Sequence, residues 1–169
     1  MNKHIYLIGY MGTGKTSVGK LLSERLNLPL LEMDETLSER FGMTINEIFD
    51  AFGEDAFRSA ESDLLLEIST LENPSVVSCG GGVVLNDKNR EILRESGITV
   101  LLQAKPQEIY NRLKNNNDRP LISGSNKLKK ISKIYEERLP LYEEAAEIIT
   151  DTDNKTPEEI VDELILFCK

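Results

Sequence analysis

The chain is predicted to fold as an α/β three-layer sandwich, with a five-stranded parallel sheet between helices. Three observations predict it. Short apolar runs rich in β-branched residues alternate with longer runs of helical spacing along the whole chain. The first such pair is joined by a glycine-rich turn, Gly9-Tyr10-Met11-Gly12-Thr13-Gly14-Lys15-Thr16. The 169 residues carry no internal repeat and no linker, so one domain is expected over 1–169.

Ile5-Tyr6-Leu7-Ile8 has the β-branched and aromatic character of a buried strand. After the glycine-rich turn, Val18, Leu21, Leu22 and Leu26 recur at helical spacing. The turn fits G-x-x-x-x-G-K-[ST] and has the strand before and helix after that this phosphate-binding loop requires. Its glycines let backbone N–H groups at Gly12, Thr13, Gly14 and Ser17 converge on a phosphate. The helix adds the positive end of its dipole. Lys15 can reach the β- and γ-phosphates of a nucleoside triphosphate, and the Thr16 hydroxyl can ligate Mg²⁺.

Leu28 to Asp34 reads as a turn and a short second strand ending in carboxylates, Glu32 and Asp34. Strand C-termini of an open α/β sheet face the ligand crevice, which places Asp34 near the phosphate loop. Residues 35–52 read as short helices broken at Gly42, with Thr44 and Glu47 forming a capping box. The next helix runs from about Glu54 to Leu71 and carries Arg58 and Glu61 at pairing distance. Ser75-Val76-Val77-Ser78 is a third strand, followed by Gly80-Gly81-Gly82. Such a run permits positive φ and close backbone approach to a ligand.

Asp87 to Ser96 is a helix stopped by Gly97, and Ile98 to Leu102 a fourth strand. Pro106 opens a helix at a first-turn position. Residues 115–124 are polar and without periodicity, the composition of a surface loop or a mobile lid. A helix over 127–146 is expected to kink or split at Pro140. Glu147 to Thr150 is a fifth strand, and Pro157 opens the last helix.

Composition narrows the function classes. With 20 Lys and Arg against 29 Asp and Glu, the net charge of −9 argues against a nucleic-acid surface or an anionic membrane as partner. No run approaches membrane-spanning length. His4 is the only histidine, which leaves little basis for a zinc site or a histidine triad. Cys79 and Cys168 lie far apart, and no signal peptide precedes the first strand, so a reduced, cytoplasmic setting is expected.

The loop alone specifies a nucleoside triphosphate with magnesium. A regulatory GTPase needs an N-K-x-D element, and Asn126-Lys127-Leu128-Lys129 lacks the aspartate. A larger ATPase needs an apolar strand ending in an acid, and the third strand ends in Ser78-Cys79-Gly80. A small-molecule kinase remains.

At this point the chain resembles the shikimate kinases, within the nucleoside monophosphate kinase-like group. The resemblance rests on the phosphate loop at 9–16, the acid at Asp34, Gly53-Glu54-Asp55-Ala56-Phe57-Arg58, Gly80-Gly81-Gly82, Arg119-Pro120-Leu121 and Glu137-Arg138-Leu139-Pro140-Leu141-Tyr142. It implies transfer of the ATP γ-phosphoryl group to the 3-hydroxyl of shikimate, on the route to aromatic amino acids. It further implies a five-stranded P-loop kinase core with a substrate-binding insertion over about 34–61 and a lid over about 112–125. Lys15, Asp34 and Arg119 would be catalytic. Arg112 and the loop before Pro157 would clamp the adenine. Arg58, Arg138, Gly80 and Gly81 would bind shikimate, and Thr16 would hold Mg²⁺. Members often carry Asp-x-Asp where this chain has Glu32-Met33-Asp34, so Glu32 is expected to act on the metal through water. A monomer is expected. The alternative acceptor is another carboxylate-bearing polyol, such as gluconate.

Overall fold

The first strand, β1 (His4–Ile8), is buried along its whole length, as expected of a strand covered by helices on both sides. The structure, a computed structural model, describes residues 3–114 and 126–168. Around β1 lie β2 (Leu30–Glu32), β3 (Val76–Ser78), β4 (Gly97–Gln103) and β5 (Ile148–Asp151), all parallel, in the order β2-β3-β1-β4-β5. The helices are α1 (Lys15–Leu26), α2 (Met33–Phe41), α3 (Ile45–Phe52), α4 (Glu54–Ser69), α5 (Asp87–Ser96), α6 (Pro106–Leu113), α7 (Lys127–Ala145) and α8 (Pro157–Cys168). A 3-10 turn, Val83–Leu85, follows the glycine run.

Alternation along β1 divides the interior. Ile5 and Leu7 join Val18 and Leu22 of α1 and Val161 and Leu164 of α8 in one apolar cluster. Tyr6 and Ile8 point to the other face, into a larger cluster with Leu65 of α4, Leu93 of α5 and Tyr142 of α7. Thus α1 and α8 cover one face, and α2 to α7 build the other.

Register sets the site. Leu7 and Glu32 both stand opposite Ser78, so β1, β2 and β3 end side by side. The phosphate loop, the α2 terminus and the glycine run therefore emerge at one carboxyl edge, the usual ligand edge of an open α/β sheet.

Three expectations change. The second strand ends at Glu32, and Asp34 lies in the first turn of α2 rather than on the strand. Glu32 keeps extended dihedrals as the N-cap, fully buried Met33 anchors the helix start, and two acids in the first turn suit the helix dipole. Gly97 stops α5 as expected, being its C-cap after Ser96. It has extended backbone and is the first residue of β4. Its Cα lies against His4 O and the Tyr6 ring, where a Cβ would fall 2.5 and 2.6 Å away. Pro140 does not split α7, which runs continuously with buried Arg138 and Tyr142 holding it on either side of the proline. Finally, Gly80, Gly81 and Gly82 do not use positive φ. The capping box at Thr44 forms as expected, with Glu47 N donating to Thr44 Oγ1 and Thr44 N to Glu47 Oε2. Both cysteines are free and buried. Among the described residues no helix is long and apolar enough to cross a membrane.

Candidate active site

The phosphate loop closes on itself through its own carbonyls. Gly9, Gly12 and Gly14 take φ of 145°, 81° and 95°, the region that side chains resist. At Gly9 a Cβ would also lie 2.4 Å from the Leu102 carbonyl oxygen. Thr13 is turned inward, its hydroxyl donating to Tyr10 O at 2.9 Å. Lys15 Nζ donates to Gly9 O at 2.7 Å and Tyr10 O at 2.9 Å, so the ammonium is tethered over the loop. A cavity of about 390 Å³ opens beside it, lined by Gly12, Gly14, Lys15, Thr16 and Ser17 from the loop and helix and by Glu32 and Asp34 from the next strand and helix.

Thr16 Oγ1 lies 3.4 Å from Glu32 Oε2, while Glu32 Oε1 is buried with no protein partner. A hydroxyl and a carboxylate beside a phosphate cradle fit Mg²⁺, which takes few protein ligands and completes its octahedron with phosphates and water. Among the described residues no group of three or more His, Cys, Asp or Glu forms a protein-only metal cage.

A second cavity adjoins the first. Met11, Asp34 and Gly81 line both. Its other walls are Ile45 and Phe49 of α3, Phe57, Arg58 and Glu61 of α4, Gly80 and Gly82, and Arg138 of α7. The glycines serve close approach here. A Cβ at Gly80 would fall 2.5 Å from Glu61 Oε2 and 2.8 Å from Asp34 Oδ1. A Cβ at Gly82 would fall 2.2 Å from Arg58 Nη1. At Gly81 the nearest guanidinium atom, Arg138 Nη1, would be 3.8 Å away. Two carboxylates therefore press against Gly80 and one guanidinium group against Gly82, while Arg138 stands at ordinary contact distance from Gly81.

Arg58 is no solvated helix charge: its side chain is 21% exposed and donates to Glu61 Oε1 at 3.0 Å. Glu61 is 1% exposed. Burial pushes its carboxyl above the ordinary range and Asp34 adds to that, while Arg58 and Arg138 oppose it. Arg138 is itself buried, one turn before Tyr142 on α7, and its charge opposes the burial that raises the Tyr142 phenol. Tyr142 in turn donates to Gly81 O. Burial raises the phenol of Tyr10 to about 12 against the opposing effect of Arg138, so it stays neutral.

On the nucleotide side, Arg112 of α6 ties the phosphate loop to the loop after β5. Its Nη1 donates to Gly12 O at 2.9 Å and to Thr152 Oγ1 at 3.4 Å, and its Nη2 to Thr152 O at 3.4 Å. Pro157 opens α8 and does not line either cavity. Arg119 and most of the expected lid lie outside the described residues. Tyr142 stands in the sequence only as part of the Glu137–Tyr142 match, and Glu61 only as an ion-pair partner of Arg58; the burial of both beside the acceptor cavity comes from the fold. The spacing of Tyr142 four residues after Arg138 on one helix was the available signal.

The comparisons agree with one another. The shikimate kinase family model matches residues 11–169. The shikimate kinase of Thermodesulfovibrio yellowstonii is 41% identical over 163 residues, 96% of this chain and 93% of that protein. The shikimate kinase of Dehalococcoides mccartyi is 43% identical over 162 residues, 95% of this chain and 90% of that protein. The solved structure of shikimate kinase from Acinetobacter baumannii in complex with shikimate superposes with a TM-score of 0.95 at 32% identity, covering 99% of this chain and 93% of that one. A site of adjoining nucleotide-side and acceptor-side cavities, on a chain matched nearly end to end by these kinases, identifies this protein as a member of the shikimate kinase family.

Proposed function

We propose that this chain transfers the γ-phosphoryl group of ATP to the 3-hydroxyl of shikimate, with Asp34 acting on that hydroxyl. The observation that carries the reading is the placement of Asp34 in the wall shared by the two cavities. The phosphate loop holds the donor on one side. On the other, Arg58 and Arg138 offer guanidinium forks that suit the shikimate carboxylate, and the amides of Gly80 and Gly81 approach the ring hydroxyls. Ile45, Phe49 and Phe57 give the ring an apolar wall.

In the transfer, the acceptor oxygen bonds to the γ-phosphorus as the bond to the bridging oxygen of ADP breaks. The hydroxyl proton passes to Asp34. Lys15 leaves the Gly9 and Tyr10 carbonyls for the phosphate oxygens, and Arg119 joins them from the lid. Thr16 would ligate Mg²⁺ directly and Glu32 through water. When bound, that ion neutralises charge on the β- and γ-phosphates. Arg112, and the loop leading to Pro157, take the adenine side.

The same reading takes the chain as one P-loop kinase domain over 1–169, with an acceptor-binding insertion at 34–61 and a lid at 112–125. It acts as a monomer in the cytoplasm. A coupled ADP-release assay with shikimate, gluconate, a nucleoside monophosphate and no acceptor tests the assignment. ADP release that depends on shikimate alone is expected. Family membership favours shikimate over gluconate, and turnover on gluconate instead would reassign the acceptor.

A further inference from the structure

The glycine run is held by its carbonyls. Val83 N donates to Gly80 O at 3.1 Å and Leu85 N to Gly82 O at 3.1 Å, so the 3-10 turn grips the run before it. Tyr142 of α7 donates to Gly81 O between them. A trans peptide points its N–H opposite to its C=O, so the Gly81 amide is turned away from Val83. Gly81 also lines the acceptor cavity. The aim of this backbone therefore depends on what holds the turn.

Two neighbouring side chains of α5 hold it. Asn89 Nδ2 donates to Val83 O at 2.9 Å, a bond from α5 alone. Arg90 does more. It is 7% exposed although it carries a full charge. Its Nη1 donates to Val84 O at 2.7 Å and its Nη2 to Asp87 Oδ1 at 2.5 Å. Its Nε lies 3.0 Å from Glu144 Oε2 of α7, an ion pair rather than an aligned hydrogen bond. One guanidinium thus meets the turn, its own helix and the helix that carries Arg138. Arg94, one turn later on α5, pairs with the same Glu144 carboxylate at 3.3 Å and donates to Glu144 O at 3.4 Å, so its bonds go to α7 and not to the turn.

We infer that Arg90 is a positioning residue for the acceptor: it pins the turn behind the glycine run to α7, and so fixes the Gly80-Gly81 backbone relative to Arg138. This rests on the reading of Gly80, Gly81 and Arg138 as shikimate contacts. Arg90 lines neither the phosphate-side nor the acceptor cavity, so it acts only through the groups it holds. Burying a guanidinium is costly even when it is paired, which makes it a poor device for stability alone. Its planar fork can reach a carbonyl and two carboxylates at once, as a lysine ammonium on a flexible stem does not.

The test is Arg90→Met, which keeps an unbranched apolar stem and removes the guanidinium. Arg94→Met is the control: it removes a partner of the same carboxylate from the same helix and leaves the turn held. Loss of the charged hydrogen bond to Val84 O should raise shikimate KM about tenfold in R90M. Its ATP KM should hold, and its kcat should fall by no more than about threefold, because Asp34 and the phosphate loop are untouched. A merely structural role would lower the folded fraction, and with it the maximal rate, and would leave KM alone. R94M should keep the wild-type shikimate KM. Glu144→Gln breaks only the arm to α7 and should raise shikimate KM about threefold. Added to R90M it should raise KM no further, since the pair is already gone.

A folded R90M with wild-type shikimate KM overturns the inference. So does an R94M that shifts shikimate KM as far as R90M, or effects of R90M and E144Q that add. Glu144 is half exposed, so E144Q decides alone should R90M not fold, and a wild-type shikimate KM in E144Q then overturns the inference. A wild-type enzyme with no shikimate-dependent turnover would overturn the acceptor assignment instead, so the two failures are distinguishable.

Discussion

Asp34 stands where the two cavities meet, and a single side chain there can be separated from its surroundings by chemistry alone. Asp34→Asn keeps the size and the hydrogen-bonding oxygen but removes the proton acceptor. Its kcat is expected to fall by about 10²–10⁴, the span of general-base contributions, with shikimate KM moving only a few-fold. Steady-state kinetics at saturating ATP checks this, and an unchanged kcat would remove Asp34 from the chemistry. Gly82 makes the opposite kind of case, in which a residue without a side chain matters through what it leaves open. A Cβ there would sit 2.2 Å from Arg58 Nη1, and the group that must yield is the end of a flexible side chain. Gly82→Ala should therefore displace the guanidinium and spare the backbone. Shikimate KM is expected to rise about tenfold, the equivalent of one weakened charged hydrogen bond, while ATP KM and the melting temperature stay close to wild type. A rise in ATP KM with constant shikimate KM would place Gly82 on the wrong side of the site.

Helix α4 carries both partners of the pair that shapes the acceptor wall, and together with α3 it separates what the sequence could disclose from what it could not. The capping box that starts α3 is local, a matter of Thr44 and Glu47 three residues apart, and it could be read directly. The Arg58 and Glu61 spacing was legible too, but the burial of Glu61 was not, because it depends on the glycine run and α7 closing over it. The same holds for Tyr142, whose partner, the Gly81 carbonyl, is set by the packing of α7 onto that run. Gly80-Gly81-Gly82 stood out in the sequence, although positive φ was the wrong reason: cross-chain crowding by Asp34, Glu61 and Arg58 was invisible without the fold. Glu61 also has a consequence in pH. Its carboxyl faces Arg58 on its own helix, Asp34 on α2 and Arg138 on α7, and burial outweighs the cations to raise its pKa. The folded chain thus binds this proton more tightly than the unfolded chain does. That contribution to stability is complete below the ordinary carboxylate pKa and is lost as pH rises through the raised folded value. Glutamine cannot titrate. The stability of Glu61→Gln minus that of wild type should therefore increase as pH rises above the ordinary carboxylate range, read from urea midpoints at each pH. A difference that shrinks with rising pH would mean that the pair with Arg58 outweighs burial and holds Glu61 ionised.

Across the whole molecule the two faces of the sheet divide the labour. The α2-to-α7 face carries the acceptor wall, since Arg58, Glu61, Arg138 and Tyr142 all descend from helices packed there. The opposite face, where α8 lies on α1, lines no part of the acceptor cavity. This division was readable in outline: the alternation of strands and helices predicted two covered faces, and the phosphate loop fixed which strand lies at the centre of function. Strand order was not readable, because nothing local in β3 says that it inserts between β2 and β1. That insertion brings the glycine run beside Asp34. If the faces are independent, damage to one should leave the other's chemistry intact. Leu164 of α8 is fully buried against this second cluster. Leu164→Ala removes three carbons from a packed interior and is expected to cost about 2–5 kcal/mol of stability, seen as a lower urea midpoint with an unchanged slope. Assayed well below its melting temperature, the variant should keep the wild-type shikimate KM, because every acceptor contact is held from the far side of the sheet. A shikimate KM that rose in step with the lost stability would show instead that the sheet transmits strain from one face to the other, and that the acceptor wall depends on the packing of α8.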